Sequence, residues 1–164
     1  MSVKKLTALS AAVALAMVLS FLESLIPPLV SVPGVKIGLA NVVTVFLLYS
    51  FGSREAVAVS LIRVILSALL FGSAVSLIYA LSGAALSFIG MLLLKKLPLS
   101  SEVSVSIAGG VLHNAGQIIA ACIVMENAAI ISYLPPLIIS GTLAGVAVGI
   151  LAALLVKKLS RIIK

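Results

Sequence analysis

Aspartate and tryptophan are both absent from this 164-residue chain, and histidine and cysteine occur once each, as His113 and Cys122. Without aspartate no Asp-rich magnesium–diphosphate site can form. The four glutamates, at 23, 55, 102 and 126, are too scattered to supply paired carboxylates instead. A single histidine excludes a multi-histidine metal centre, and a single cysteine excludes an intrachain disulfide. Cys122 lies in an apolar run and is expected only to pack. No G-x-x-x-x-G-K-[ST] loop occurs, so ATP is not bound in that way. Neither a metal nor a cofactor is expected. Charge is scarce as well, at 9% of residues, where a soluble domain carries about a quarter.

What the chain does have is apolar length. Hydrophobic residues make up 63% of it, and the mean hydropathy is +1.39. Too little polar surface remains to cover a water-soluble particle, so the chain belongs in a membrane. Its length suits one bundle and leaves no room for a soluble catalytic domain. The net charge of +7 does not point to nucleic acid, because the basic residues sit at the ends of apolar runs with no aromatic-basic surface between them.

The runs predict an all-α, polytopic bundle of six transmembrane helices in a single domain, 1–164, with helices over roughly 6–26, 37–51, 55–71, 74–94, 103–125 and 137–156. The basic start and Ala14-Leu15-Ala16 imitate a signal peptide, but the apolar run continues to Glu23 and ends at Pro27-Pro28, which favours a retained helix. The second run is short for a full crossing. Residues 126–136 read as a loop closed by Pro135-Pro136. Lys4-Lys5, Arg54, Lys95-Lys96 and the tail Lys157, Lys158, Arg161 and Lys164 fall on one side, and Lys36 alone on the other. This bias places both termini in the cytoplasm.

Small residues recur at a spacing of four in three places: Ala8, Ala12 and Ala16; Ser76, Ala80 and Ala84; and Gly141, Gly145 and Gly149. Such stripes let a second helix approach closely. The glycine stripe is read as packing inside the bundle. The alanine stripe lies next to a cytoplasmic end, so internal packing and partner docking both stay open.

Strongly polar side chains inside apolar runs are costly unless paired or used. At about 100° per residue, Ser106, Gly109, Gly110, His113, Asn114, Gln117 and Ala121 share one face of the fifth helix, with Val105, Val111, Leu112, Ile118, Ile119 and Ile123 opposite. The polar side should face the interior and the branched side lipid. Arg63 lies midway along the third helix at a depth similar to His113, while Glu23, Lys36 and Asn41 lie toward the outer end. Together they predict an outward-opening pocket for a ligand with an anionic or strongly polar head and an apolar body. Structural roles compete at each position. Arg63 can pair with Glu23 or with carbonyls, Glu23 can pair with Lys36, Asn41 can cap or cross-link helices, and Tyr79 can be an interfacial aromatic rather than a ligand contact.

Pro33-Gly34-Val35-Lys36-Ile37-Gly38-Leu39-Ala40-Asn41 and His113-Asn114-Ala115-Gly116-Gln117 resemble a bacterial membrane family known as heptaprenyl diphosphate synthase component I or as the Gx transporter family. That family in turn resembles the substrate-binding S-components of energy-coupling factor (ECF) transporters. The resemblance implies six helices, an outward pocket, a gate after the first helix at 29–36, and a docking stripe at Ala8, Ala12 and Ala16. It also implies a transmembrane scaffold partner with two cytoplasmic ATPases.

Two functions follow as expectations. In the first, the chain binds a small anionic or isoprenoid- or quinone-related ligand for ATP-driven uptake. Arg63 then contacts the anion, His113, Asn114 and Gln117 orient it, and Glu23, Lys36 and Asn41 close the outer end. In the second, it is a non-catalytic membrane partner of a soluble heptaprenyl diphosphate synthase subunit in menaquinone or isoprenoid biosynthesis. Catalysis by the chain itself is not expected, because the carboxylates of chain elongation are missing.

Overall fold

The structure, a computed structural model, describes residues 2–25 and 38–163. Lys36 and the expected gate at 29–36 lie outside the described residues. Six α-helices and one 3-10 helix follow in order: α1 Val3–Leu25, α2 Asn41–Ser50, α3 Ser53–Phe71, α4 Ala74–Lys95, α5 Glu102–Val124, the 3-10 turn Ala128–Tyr133, and α6 Leu134–Ile163. There is no strand among the described residues.

Local chemistry sets the breaks. Gly52, at φ +118°, turns the chain between α2 and α3, a conformation that side chains with a Cβ rarely adopt. Ser73 opens α4 by accepting the Ser76 N–H while the Ser76 hydroxyl accepts the Ser73 N–H. Ser101 and Ser104 do the same at the start of α5. Each box satisfies amides that the first helical turn leaves without partners.

Four stretches are long and apolar enough to cross a membrane: Val3–Leu25, Ala74–Lys95, Glu102–Val124 and Ala128–Leu159. Leu69, Leu93, Ile123 and Leu143 point outward from the bundle, as side chains facing hydrocarbon do. α2 has 10 residues, about 15 Å of helix, or half of a bilayer core of about 30 Å. It starts at Asn41 rather than near residue 37, since residues 39 and 40 form a turn.

The end of the chain also differs from expectation. Residues 128–133 are a 3-10 helix, not open loop, and Pro135-Pro136 lie in the first turn of α6. Proline fits there because first-turn amides have no intrahelical acceptor. α6 runs on past residue 156 to Ile163. Lys157 and Lys158 are therefore helical and exposed rather than part of a loose tail.

α5 is flanked by α4 and α6, α1 leans on α3, and α2 sits within the arc touching α1, α3, α5 and α6. α2 is apolar nearly all round, and such a helix belongs in a core. Val45, Leu47 and Leu48 are at most 1% exposed. Ala56 of α3, Val105 of α5 and Ala152 of α6 close around them.

Glycine makes the α5–α6 contact. A methyl group on Gly145 would lie 2.6 Å from Ile107 Cα, and one on Gly149 would lie 2.6 Å from Val103 Cα. Gly110 meets the Gly141 carbonyl just as closely. The glycine stripe is internal packing, as expected. The branched face of α5 is a partial correction. Ile119 and Ile123 are exposed, but Val105 and Ile118 are buried, because α5 has helices on both flanks.

Candidate ligand-binding cavity

All six helices contribute to one interior cavity of about 280 Å³. Glu23, Asn41, Arg63, His113, Asn114 and Gln117 all line it, so six sequence positions along four helices reach one space. Ser106, Gly109 and Gly110 join them from the polar side of α5. Tyr79 does not. It is half-buried on α4 and is not among the residues lining the cavity. α4 presents Ser76, Ala80 and Ala84 instead, so this small-residue stripe makes room for the cavity.

α1 brings Ser20, Glu23 and Ser24 to the cavity. Glu23 Oε1 accepts the backbone N–H of Gly38. Gly38 has a left-handed φ of +75°, and its carbonyl accepts the Asn41 N–H at 2.8 Å. The carboxylate thus ties the end of α1 to the start of α2. Ala16 is 2% exposed, and Ala12 packs against the same core. Ala12, Ala16, Ser20 and Glu23 follow at steps of four, four and three, which is one helix face. That face points inward. Glu23 and the alanine stripe share an azimuth because both belong to the interior, and only the half-buried Ala8 lies toward the N-terminal end.

Arg63 is half-buried. Its Nη1 donates weakly to Ser20 Oγ at 3.5 Å, and its Nε is buried without a partner. Among the described residues it forms no ion pair, although the Glu23 charge acts on it. A guanidinium with unused donors facing an interior space can bind a planar anion through its fork.

Asn114 is already engaged. Its Nδ2 donates to the Leu137 carbonyl at 2.7 Å, which leaves its carbonyl oxygen for other partners. His113 rests against α4 where Gly83 leaves space. A methyl there would lie 2.9 Å from His113 Cε1 and 3.0 Å from Gln117 Cγ. Gly116 allows the same approach, since a methyl on it would lie 2.6 Å from the Ser82 carbonyl. Gly83 and Gly116 therefore set the imidazole's position, a role that the motif at 113–117 did not announce.

A set of hydroxyls also escaped the sequence reading. Thr44, Ser60 and Ser87 line the cavity along with Ser106, and all four are buried. Serine and threonine are common in membrane helices and often bond to their own backbone, so their sequence positions carry little signal. Val45, Val64, Phe88, Met91 and Val148 complete the lining. The cavity therefore offers one guanidinium, one carboxylate, amides, an imidazole, hydroxyls and an apolar wall. No group of three His, Cys, Asp or Glu stands close enough to hold a metal among the described residues.

The opposite end of the bundle collects cations. Lys5 pairs with Glu55 across α1 and α3. Lys95 Nζ donates to the Leu48 carbonyl at 2.5 Å and lies 4.9 Å from the centre of the Tyr49 ring. Arg54, Lys96, Lys157 and Lys158 are exposed.

A family model described as heptaprenyl diphosphate synthase component I matches residues 12–155. No curated protein and no solved structure matches the chain.

Proposed function

Because the chain belongs to the heptaprenyl diphosphate synthase component I family, we propose that it is a non-catalytic, multi-pass membrane component that holds a small amphiphilic ligand and works with a partner prenyl diphosphate synthase. The observation that carries the ligand site is the convergence of Arg63, His113, Gln117 and Glu23 on one interior cavity. The family description supports the synthase partner. The lack of aspartate supports a division of labour in which that partner brings the metal-binding carboxylates. In the ligand site Arg63 meets the anionic head, His113 and Gln117 orient it together with the carbonyl oxygen of Asn114, and Glu23 and Asn41 close the outer end.

The protein lies in the bacterial cell membrane with both termini in the cytoplasm. The gathering of Lys5, Arg54, Lys95, Lys96 and the α6 lysines at one end supports this orientation. In a Cys122→Ala background, Asn127→Cys should react with an impermeant maleimide added to intact cells, and Lys158→Cys only after lysis. The reverse pattern would invert the topology.

A specific observation favours a second reading, capture of the ligand for ATP-driven uptake. The cavity is lined from all six helices and carries a guanidinium with unused donors, which suits capture of a small molecule. Under this reading the α1 stripe docks onto an ECF-type scaffold with two ATPases. Ala12 and Ala16 pack inside the bundle, so docking there requires α1 to rotate. Affinity purification from the native membrane separates the two. A soluble, Asp-rich synthase retained with the tagged protein supports the first reading, and a membrane scaffold with ATPases supports the second. A protein that retains neither and binds no small molecule sinks both.

A further inference from the structure

We propose that the cavity takes a small monoanion, a carboxylate head on a short apolar or aromatic body, and excludes prenyl diphosphates. The inference rests on the ligand-binding reading above and narrows its ligand class.

The first argument is charge. Among the described residues lining the cavity, Arg63 is the one arginine or lysine and Glu23 the one carboxylate. A carboxylate head matches one guanidinium fork, charge for charge and oxygen for donor. A diphosphate brings several negative charges, and one arginine leaves most of them uncompensated in a low-dielectric interior. Proteins that bind diphosphates commonly neutralise them with magnesium held on carboxylates. Here Glu23 is engaged by the Gly38 amide, and no metal-holding cluster exists among the described residues. Its own negative charge opposes a second anionic group.

The second argument is size. A volume of about 280 Å³ lies at the lower edge of small-molecule pockets, which run from about 300 to 1,000 Å³. A ring or a short chain fits within it, and a tail of seven isoprene units is too large to be enclosed there. The hydroxyls of Thr44, Ser60, Ser87 and Ser106 add a polar patch among the apolar residues, so a body carrying its own hydroxyl or carbonyl is favoured over a plain hydrocarbon.

The test uses the full-length protein in detergent, titrated with acetate, hexanoate and benzoate, with benzamide as the uncharged counterpart of benzoate, and with isopentenyl diphosphate plus magnesium. Thermal stability and heat of binding are read for each. The expected result is saturable binding of benzoate or hexanoate, none of benzamide, and none of the diphosphate. Arg63→Gln should weaken the monoanion at least tenfold, whereas Glu23→Gln, which keeps the fold of α1 and removes the opposing charge, should tighten it. Arg63-dependent binding of the diphosphate overturns the proposal and leaves the ligand-binding reading standing. Monoanion affinity equal in wild type and Arg63→Gln also overturns it. Failure of every probe, charged and neutral, overturns the proposal together with the ligand-binding reading.

Discussion

The Asn114 side chain donates through Nδ2 to the Leu137 carbonyl at 2.7 Å, so a polar group in the middle of α5 fastens the first turn of α6. The Ser140 hydroxyl donates to the same oxygen at 3.1 Å. Leu137 is 2% exposed, so both side-chain bonds to its carbonyl lie away from water. The amide therefore sits at the cavity wall with one of its two N–H donors committed to holding that wall together.

Asn114→Ala should destabilise the bundle by about 0.5–2 kcal/mol, the range for a hydrogen bond between membrane helices. Reversible unfolding in mixed detergent measures this. Ligand affinity should fall less than in Arg63→Gln, and an equal or larger fall would show that Asn114 binds the ligand directly.

Gly145→Ala should cost about 1–3 kcal/mol. Its methyl meets Ile107 Cα at 2.6 Å and Ile107 N at 3.0 Å, and backbone cannot move aside as a side chain does. Ala147, one face away and exposed, is the control, and Ala147→Leu should leave the unfolding midpoint unchanged.

Lys95→Met should loosen the C-terminal end of α2, because the ammonium donates to the Leu48 carbonyl at 2.5 Å. Charged hydrogen bonds of this kind contribute about 1.5–3 kcal/mol, and a cation at a helix C-terminus adds to this. Hydrogen exchange should quicken at the last α2 amides, while the neighbouring exposed Lys96→Met variant exchanges as wild type.

Arg63→Met should raise the stability of the ligand-free protein, by about 1–3 kcal/mol, because it replaces a poorly partnered interior charge with a packing side chain. The same variant should lose the stabilisation that a bound anion confers. A destabilised Arg63→Met variant would instead mark Arg63 as a structural strut.

Much of the helical layout was legible in the sequence because its signals are local. The observed limits of α3, α4 and α5 lie within two residues of those expected. The polar side of α5 was readable from 3.6-residue periodicity, since Ser106, His113, Asn114 and Gln117 share a face whatever they pack against. Pro135-Pro136 was misread for a related reason. The residue type marks a boundary but does not say on which side of it the helix lies.

Other features depend on which helices become neighbours. α2 is apolar on every side, so it carries no periodicity to reveal that it is the centre of the core. The stripe on α1 looks the same whether it faces a partner or, as Ala16 does, the interior. Tyr79 falls outside the cavity, and Gly83 makes space for His113, through an α4–α5 crossing that no spacing within either helix specifies. From the sequence alone came the membrane class, the helical segments, the lack of metal-binding carboxylates and the identity of the costly polar side chains. Tertiary packing decided that these side chains meet in one shared cavity. Periodicity fixes where a side chain lies around its own helix, but only contact between helices fixes what stands opposite.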